Sequence, residues 1–123
     1  VVSLPFDLLF AAGEVTLTDV AKEALFRMGG VIATLGNQID IEGHSAPQED
    51  ENGIFTSAWT MSLARAIAVS NELVRSGYIQ NTVILGLGAS RFNQIDQRLS
   101  YERRSALARR VDIIIHPVQG DVQ

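Results

Sequence analysis

Cysteine is absent from this sequence of 123 residues, and lysine occurs once among its ten basic residues. Without cysteine the chain forms neither disulfides nor cysteine-based zinc sites, although this absence does not indicate a compartment. No apolar run approaches the roughly 18 to 20 residues of a membrane-spanning helix. A hydrophobic content of 46% and a charged content of 20% are typical of a globular protein, and we expect one domain over residues 1–123.

Charge is unevenly distributed along the chain. Residues 1–52 contain nine acidic and two basic residues, giving −7, whereas residues 53–123 contain five and eight, giving +3. Nine of the ten basic residues are arginine, whose planar guanidinium binds carboxylate or phosphate at two points. Nucleic-acid-binding domains are usually basic overall, but the net charge here is −4. We therefore expect a local anion site and no nucleic-acid partner.

Hydrophobic periodicity and turn residues predict alternating strands and helices. A short strand is predicted within the segment Leu4–Phe10, and the other predicted strands are Gln38–Glu42, Thr82–Leu87 and Val111–Ile115. The predicted helices follow Thr18, span 58–76 and start at Ser100. The third strand is a continuous apolar run, which predicts burial on both of its faces. An acidic loop is expected over Pro47–Gly53 and a frayed tail after about residue 117. The order β-α-β-α-β-(α)-β indicates an α/β fold, a sandwich with helices packed on one sheet.

The helix after Thr18 has a clear apolar stripe, which ends where Gly36 supplies a stop signal. Gly29-Gly30 inside this helix costs about 1 kcal/mol per glycine, which indicates close packing at that point. The residues of the predicted buried stripe are Ala21, Leu25, Met28, Ile32 and Leu35.

Arg65 is the first candidate binding residue. Its neighbours on the same helix face are mostly apolar or small, and a buried guanidinium without a partner is expensive. It therefore forms either an internal ion pair or a contact with a ligand carboxylate. The cluster of Arg103, Arg104, Arg109 and Arg110 is either a solvated face with ion pairs at a strand end or a clamp on an acidic polymer or peptide.

No reactive constellation is found. Gly43-His44-Ser45 follows a strand, where α/β sites usually lie, but a lone histidine there is more often structural than catalytic. Ser62 lacks a surrounding G-x-S-x-G, and neither His44 nor His116 has a histidine or carboxylate partner at metal-ligand spacing. Gly86-Leu87-Gly88 lacks the third glycine of a dinucleotide fingerprint. We therefore expect a binding domain with no catalytic residues, metal or cofactor.

Four motifs in order resemble the OmpA/MotB C-terminal domain, the peptidoglycan-associating module of envelope and flagellar stator proteins. They match the family's motifs G-H-T-D, N-x-x-L-S-x-x-R-A, a glycine turn and N-R-R-V-E-I. The segment Leu4–Thr18 and Trp59 resemble the MotB-like stator subgroup more than other members of the family. The resemblance implies helices on one mixed sheet, a homodimer, and a periplasmic domain tethered to a membrane by an N-terminal segment outside this chain. The matching segments are Gly43–Ala46, Ala58–Ala66, Gly86–Arg91 and Ala108–Ile113.

In that family an aspartate of G-H-T-D and the arginine of L-S-x-x-R-A hold the diaminopimelate residue of the peptidoglycan stem peptide. The resemblance therefore implies non-covalent anchoring to the cell wall, with Arg65 holding a stem-peptide carboxylate. Asp50 is the candidate partner of the ligand ammonium, because the aspartate position is Ala46. The remaining candidates in or around the pocket are Gly43, His44, Ser45, Ser62, Arg109 and Arg110.

The chain departs from the family at several polar positions. Small residues occupy the places of the family's aspartate (Ala46), two asparagines (Ala58 and Ala108) and a common arginine (Ser105). Because a methyl group cannot hold an ammonium, a second interpretation stays open. In it, the fold has lost peptidoglycan binding and serves dimerisation or another protein interaction.

Overall fold

The computed structural model describes residues 1–11, 14–47, 58–78 and 82–117. Asp50, most of the predicted acidic loop and the tail after residue 117 lie outside these ranges. The strands are β1 (Val2–Pro5), β2 (Ile39–His44), β3 (Thr82–Gly86) and β4 (Arg110–Ile115). The helices are α1 (Phe6–Leu9), α2 (Asp19–Leu35), α3 (Ala58–Arg75) and α4 (Tyr101–Ala108), and a 3-10 turn at Phe92–Gln94 precedes α4.

The four strands form one mixed sheet in the order β1-β4-β2-β3. Strands β2 and β3 run parallel, whereas β4 pairs antiparallel with both β1 and β2. Asp112 of β4 consequently lies between Ser3 of β1 and Glu42 of β2. The predicted α/β fold with helices on one mixed sheet is confirmed.

The beginning of the chain differs from the prediction. The short strand predicted within Leu4–Phe10 lies earlier in the chain, because β1 ends at Pro5 and the following four residues form the short helix α1. Proline cannot donate to a sheet ladder but is well suited to the start of a helix. The helical turn buries Phe6 and Leu9, and the Phe6 amide donates to the Arg109 carbonyl at 2.9 Å.

Strand β3 is not covered on both faces, so that prediction is wrong. It is an edge strand, and its side chains alternate between half-buried and exposed, with Val83 52% and Leu85 39% exposed. A continuous apolar run indicates a strand, but it does not distinguish a central position from an edge.

Helix α2 begins and ends as predicted. The Thr18 hydroxyl oxygen accepts a hydrogen bond from the Ala21 amide at 3.2 Å, and Gly36 ends the helix with a φ of 70°. Three of the predicted stripe residues are buried, and Met28 packs half-buried against the core. Leu35 is 60% exposed, however, so the buried stripe of α2 ends at Ile32.

The main core lies between α2, α3 and one face of the sheet. Tyr78 follows α3 and is buried in this core, where its hydroxyl donates to the Asn37 carbonyl at 2.5 Å. The largest buried apolar side chains of the core include Leu25, Ile39, Ile41, Val69, Leu73, Val111 and Ile113.

Across the described residues, no helix combines the length and apolar composition needed to cross a membrane.

The two adjacent glycines of α2 have different surroundings. A Cβ added to Gly29 would lie 1.9 Å from Ser76 Oγ, 3.0 Å from Ser76 Cβ and 3.2 Å from Leu73 Cδ2. A Cβ added to Gly30 meets nothing within 4 Å. Helix α2 therefore needs glycine at the first position, to approach the end of α3, and not at the second.

We predict that Gly29→Ala lowers the free energy of unfolding by about 1–2 kcal/mol, because steric overlap with Ser76 exceeds the gain in helix propensity. Gly30→Ala is the matched control and should raise it by about 0.5–1 kcal/mol. Urea denaturation of both variants measures these changes. Equal effects of the two substitutions would contradict the predicted helix contact.

Candidate functional site

Helix α3 lies unusually close to the ends of β2 and β3. A Cβ added to Gly43 would lie 2.0 Å from the Ser62 carbonyl oxygen, and one added to Gly86 would lie 2.5 Å from Leu63 Cβ. Such distances do not occur between real side chains and backbone, so both positions require glycine. The helix backbone consequently rests on the carboxyl ends of the two parallel strands, where sites in open α/β sheets usually form.

Two predicted site residues, Ser62 and Ser45, hold the turn that follows β3. The Ser62 hydroxyl oxygen accepts a hydrogen bond from the Gly88 amide at 2.9 Å and donates to the Trp59 carbonyl at 3.0 Å. The Ser45 amide donates to the Gly88 carbonyl at 2.9 Å. Both serines are fully buried, so they fix the backbone at this end of the sheet.

Arg65 lies one helical turn after Ser62 and is 3% exposed. Its guanidinium carbon lies 4.2 Å from the centroid of the Phe6 ring and 5.5 Å from that of Phe10. Its Nε donates to the Glu14 carbonyl at 3.2 Å. Ring stacking and this hydrogen bond fix the guanidinium plane, and a buried cation over two aromatic rings is stabilised by the ring quadrupoles.

His44 lies on the opposite face of the sheet, because successive residues of a strand alternate and Gly43 faces α3. Its ring is 2% exposed, and neither ring nitrogen makes a hydrogen bond. Nε2 lies 3.4 Å from Glu42 Oε1 and 3.5 Å from Asp112 Oδ2. Burial, followed by the charge of Arg110, lowers the pKa of His44, although the two carboxylates oppose this shift. Burial thus favours the neutral imidazole over the charged one.

The guanidinium of Arg110 is paired with a carboxylate of the same strand, that of Asp112. Its Nε donates to both carboxylate oxygens of Asp112, at 3.2 and 3.1 Å, and the Ser3 hydroxyl donates to Asp112 Oδ1 at 2.6 Å. Arg109 follows α4 and, together with Arg110 and Arg91, lines a cavity of about 390 Å³ between β1, the 3-10 turn and α4.

The structure therefore divides the predicted site residues between two places. Gly43, Ser62 and Arg65 lie on the helix side of the sheet, whereas His44 and Arg110 lie on the other face, and Asp50 is outside the described residues. Glu42 and Asp112 were not predicted as site residues. The spacing Glu-x-His on a strand was the available signal, because residues two apart share a face.

A small apolar cluster occupies the positions at which the sequence departs from the G-H-T-D and N-R-R motifs. Ala46 and Ala108 are each 1% exposed and pack with Phe92 of the 3-10 turn, which is 8% exposed. These two positions thus present methyl groups to a phenyl ring and no polar group to solvent.

The profile of the OmpA family matches residues 9–107 of the chain. The chain belongs to the OmpA family. No curated protein matches it. The resemblance identified from the sequence motifs is thereby confirmed.

Solved structures of OmpA-family domains share this fold. The chain is similar to a MotB-like protein from Desulfovibrio vulgaris (24% identity, TM-score 0.75, covering 92% of this chain and 72% of that one). It is also similar to the periplasmic domain of Helicobacter pylori MotB (23% identity, TM-score 0.79, covering 97% of this chain and 76% of that one). A third similar structure is the cell wall anchor of the type VI secretion system from Pseudomonas aeruginosa (24% identity, TM-score 0.77, covering 92% of this chain and 78% of that one). At these identities the likeness is one of fold.

The apolar cluster generates a prediction about this OmpA-family domain. At pH 7, Ala46→Asp should lower the free energy of unfolding by about 1–3 kcal/mol more than the isosteric, uncharged Ala46→Asn, because the charged form loses its hydration. Burial raises the pKa of the introduced carboxyl above its unfolded value of about 3.9, so the excess should disappear as the pH falls below about 4. Urea denaturation at pH 4 and pH 7 measures it. A pH-independent difference would mean that this position is hydrated or paired.

Proposed function

We propose that this OmpA-family domain binds peptidoglycan non-covalently and anchors an envelope or flagellar-motor protein to the cell wall. The observation that carries the proposal is the orientation of Arg65. Its guanidinium plane is fixed by Phe6 and by the Glu14 carbonyl, at the end of the sheet where α3 rests on β2 and β3. A fixed guanidinium binds a carboxylate with little loss of conformational freedom, so it suits a stem-peptide carboxylate.

The ligand in this proposal is a diaminopimelate-type stem peptide, which carries an ammonium as well as a carboxylate. Ala46 contributes no charge to such a ligand, and we propose Asp50 of the acidic loop as the substitute. Gly43, Ser45 and Ser62 shape the backbone beside Arg65. Arg109 borders the adjacent cavity as a rim cation, whereas Arg110 acts through Asp112.

The proposed setting is periplasmic, with 1–123 as one domain tethered to a membrane by a segment outside this chain. Relatives of similar fold include a peptidoglycan-associated lipoprotein from Burkholderia pseudomallei (19% identity, TM-score 0.68, covering 93% of this chain and 89% of that one). Two proteins of similar fold are thus named for the cell wall or for peptidoglycan, one as a cell wall anchor and one as a peptidoglycan-associated lipoprotein. In this proposal the domain performs no catalysis and uses no cofactor.

A second function is favoured by a different observation. Strand β3 is an uncharged edge strand that exposes Val83 and Leu85 on one face. Along the other face, Trp59, Leu63 and Ile67 form a partly exposed stripe on α3. An edge without charge or proline is open to pairing, and a second copy related by a two-fold axis would meet the same neutral surface. Homodimerisation through β3 is therefore the alternative, and the apolar cluster around Ala46 is compatible with it.

Co-sedimentation with purified diaminopimelate-type sacculi tests the first function. We predict that the wild type binds, that Arg65→Lys reduces the affinity about tenfold, and that free diaminopimelate competes. Lysine keeps the charge but loses the planar two-point contact of the guanidinium. The expected tenfold loss of affinity corresponds to about 1.4 kcal/mol of binding free energy. Arg27→Lys, the same change at an arginine of α2 whose side chain is 78% exposed, is the control and should bind as the wild type does.

Each variant is first shown to be folded by circular dichroism, because Arg65 also packs against Phe6. Failure of the folded wild type to sediment with sacculi would reject the anchoring function. Binding that is equal in Arg65→Lys and the wild type would place the contact elsewhere on the domain.

Sedimentation velocity tests the alternative. We predict that the wild type is a dimer and that Val83→Lys makes it monomeric, because an edge lysine opposes strand pairing. The lysine lies across from Asp40, which should preserve the fold of the monomer. Val31→Lys, at a 62% exposed position of α2, is the matched control and should remain dimeric. A monomeric wild type would exclude this interface at the concentrations used.

A further inference from the structure

Three potential metal ligands meet on the face of the sheet that is turned away from α3, which is called the open face below. Glu42 and His44 are alternate residues of β2, so their side chains share a face, and Asp112 of β4 lies directly across from Glu42. One ligand atom from each lies within 4.8 Å of the other two. The His44 side chain is 2% exposed, and those of Glu42 and Asp112 are 11% and 12% exposed. This cluster is separate from Arg65, which lies on the helix side.

The distances within the cluster fit a bound cation better than hydrogen bonds. His44 Nε2 is 3.4 Å from Glu42 Oε1 and 3.5 Å from Asp112 Oδ2, and it is hydrogen-bonded to neither. Two ligands of a tetrahedral ion with bonds of roughly 2.0–2.1 Å are about 3.3–3.4 Å apart. A buried ring nitrogen without a hydrogen bond is otherwise costly, and a metal would satisfy it.

Surrounding groups hold one carboxylate in position. The Ser3 hydroxyl and Arg110 Nε both bind Asp112, and in this orientation Oδ2 faces His44. Such outer hydrogen bonds are typical of metal-ligating carboxylates. Arg110 supplies one opposing charge, and Arg91 lies further off, with Nη1 3.9 Å from Glu42 Oε1. Arg110 and Arg91 together offset the two carboxylate charges, so a cation would be held by the donor atoms of the three side chains and not by an excess of negative charge.

We propose that Glu42, His44 and Asp112 bind a zinc-class divalent cation, with water as the remaining ligand. One nitrogen and two carboxylate oxygens suit Zn²⁺, whereas Mg²⁺ requires nearly octahedral oxygen coordination. Ser3, Arg91 and Arg110, which contact Asp112 or Glu42, also border the neighbouring cavity, so the cluster lies beside it. The bound ion would connect β2 to β4 in the middle of the sheet, so it would stabilise the fold independently of peptidoglycan binding.

Isothermal titration of the EDTA-treated, dialysed 123-residue chain with ZnCl₂ tests this proposal. The expected result is one saturable site, an increase of the melting temperature with Zn²⁺, and no response to MgCl₂. His44→Ala should weaken Zn²⁺ binding more than about tenfold. His116→Ala is the matched control: this more exposed histidine also faces a carboxylate, with Nε2 3.1 Å from Asp40 Oδ2, and its loss should leave the affinity unchanged.

Glu42→Gln keeps the side-chain shape and provides the decisive variant if His44→Ala does not fold. It should also lose more than about tenfold in affinity. Binding of Co²⁺ by the wild type, followed by its visible absorption bands, should disappear in the same variants. The proposal is overturned if the wild type binds no Zn²⁺, if the folded His44 or Glu42 variant binds as tightly as the wild type, or if only His116→Ala weakens binding.

Discussion

The contact between the α3 backbone and the ends of β2 and β3 determines the rest of this structure. It exists because Gly43 and Gly86 have no side chains where Ser62 and Leu63 approach them. With α3 at this distance, the Ser62 hydroxyl reaches the Gly88 amide and closes the turn after β3. The same placement brings the next turn of the helix, and with it the guanidinium of Arg65, over the Phe6 ring.

Successive residues of β2 face opposite sides of the sheet, so the packing contact with α3 and the polar cluster lie within a few residues of each other on opposite faces. Gly43 faces the helix and allows close packing, whereas Glu42 and His44 face away from it and meet Asp112 of β4. Within the described residues, the two places therefore lie on opposite faces of the same strand. A substitution at Glu42 can test the open face without removing a side chain that packs against α3, which keeps the two functional questions experimentally separate.

Much of the fold was predictable from local signals. The Thr18 cap, the Gly36 stop, the short helix near Ser100 and the order of strands and helices depend on neighbouring residues, and the structure confirms them. The exposure of β3 and the helical turn after Pro5 were missed, because a short apolar run does not specify what packs against it. The cluster of His44 with Asp112 could not be predicted from spacing, since it depends on a register between distant strands.

The expected diaminopimelate site has two halves, an arginine for the ligand carboxylate and an aspartate for its ammonium, and this chain keeps only the first. Arg65 is retained, and its contacts with Phe6, Phe10 and Glu14 also give it a structural role. Ala46, in contrast, removes the charge that would select an ammonium. A domain with only the guanidinium would still attract carboxylates, but it would discriminate poorly between diaminopimelate and other acids, because specificity is a difference in affinities. The ammonium side therefore decides whether this chain is a selective cell-wall anchor.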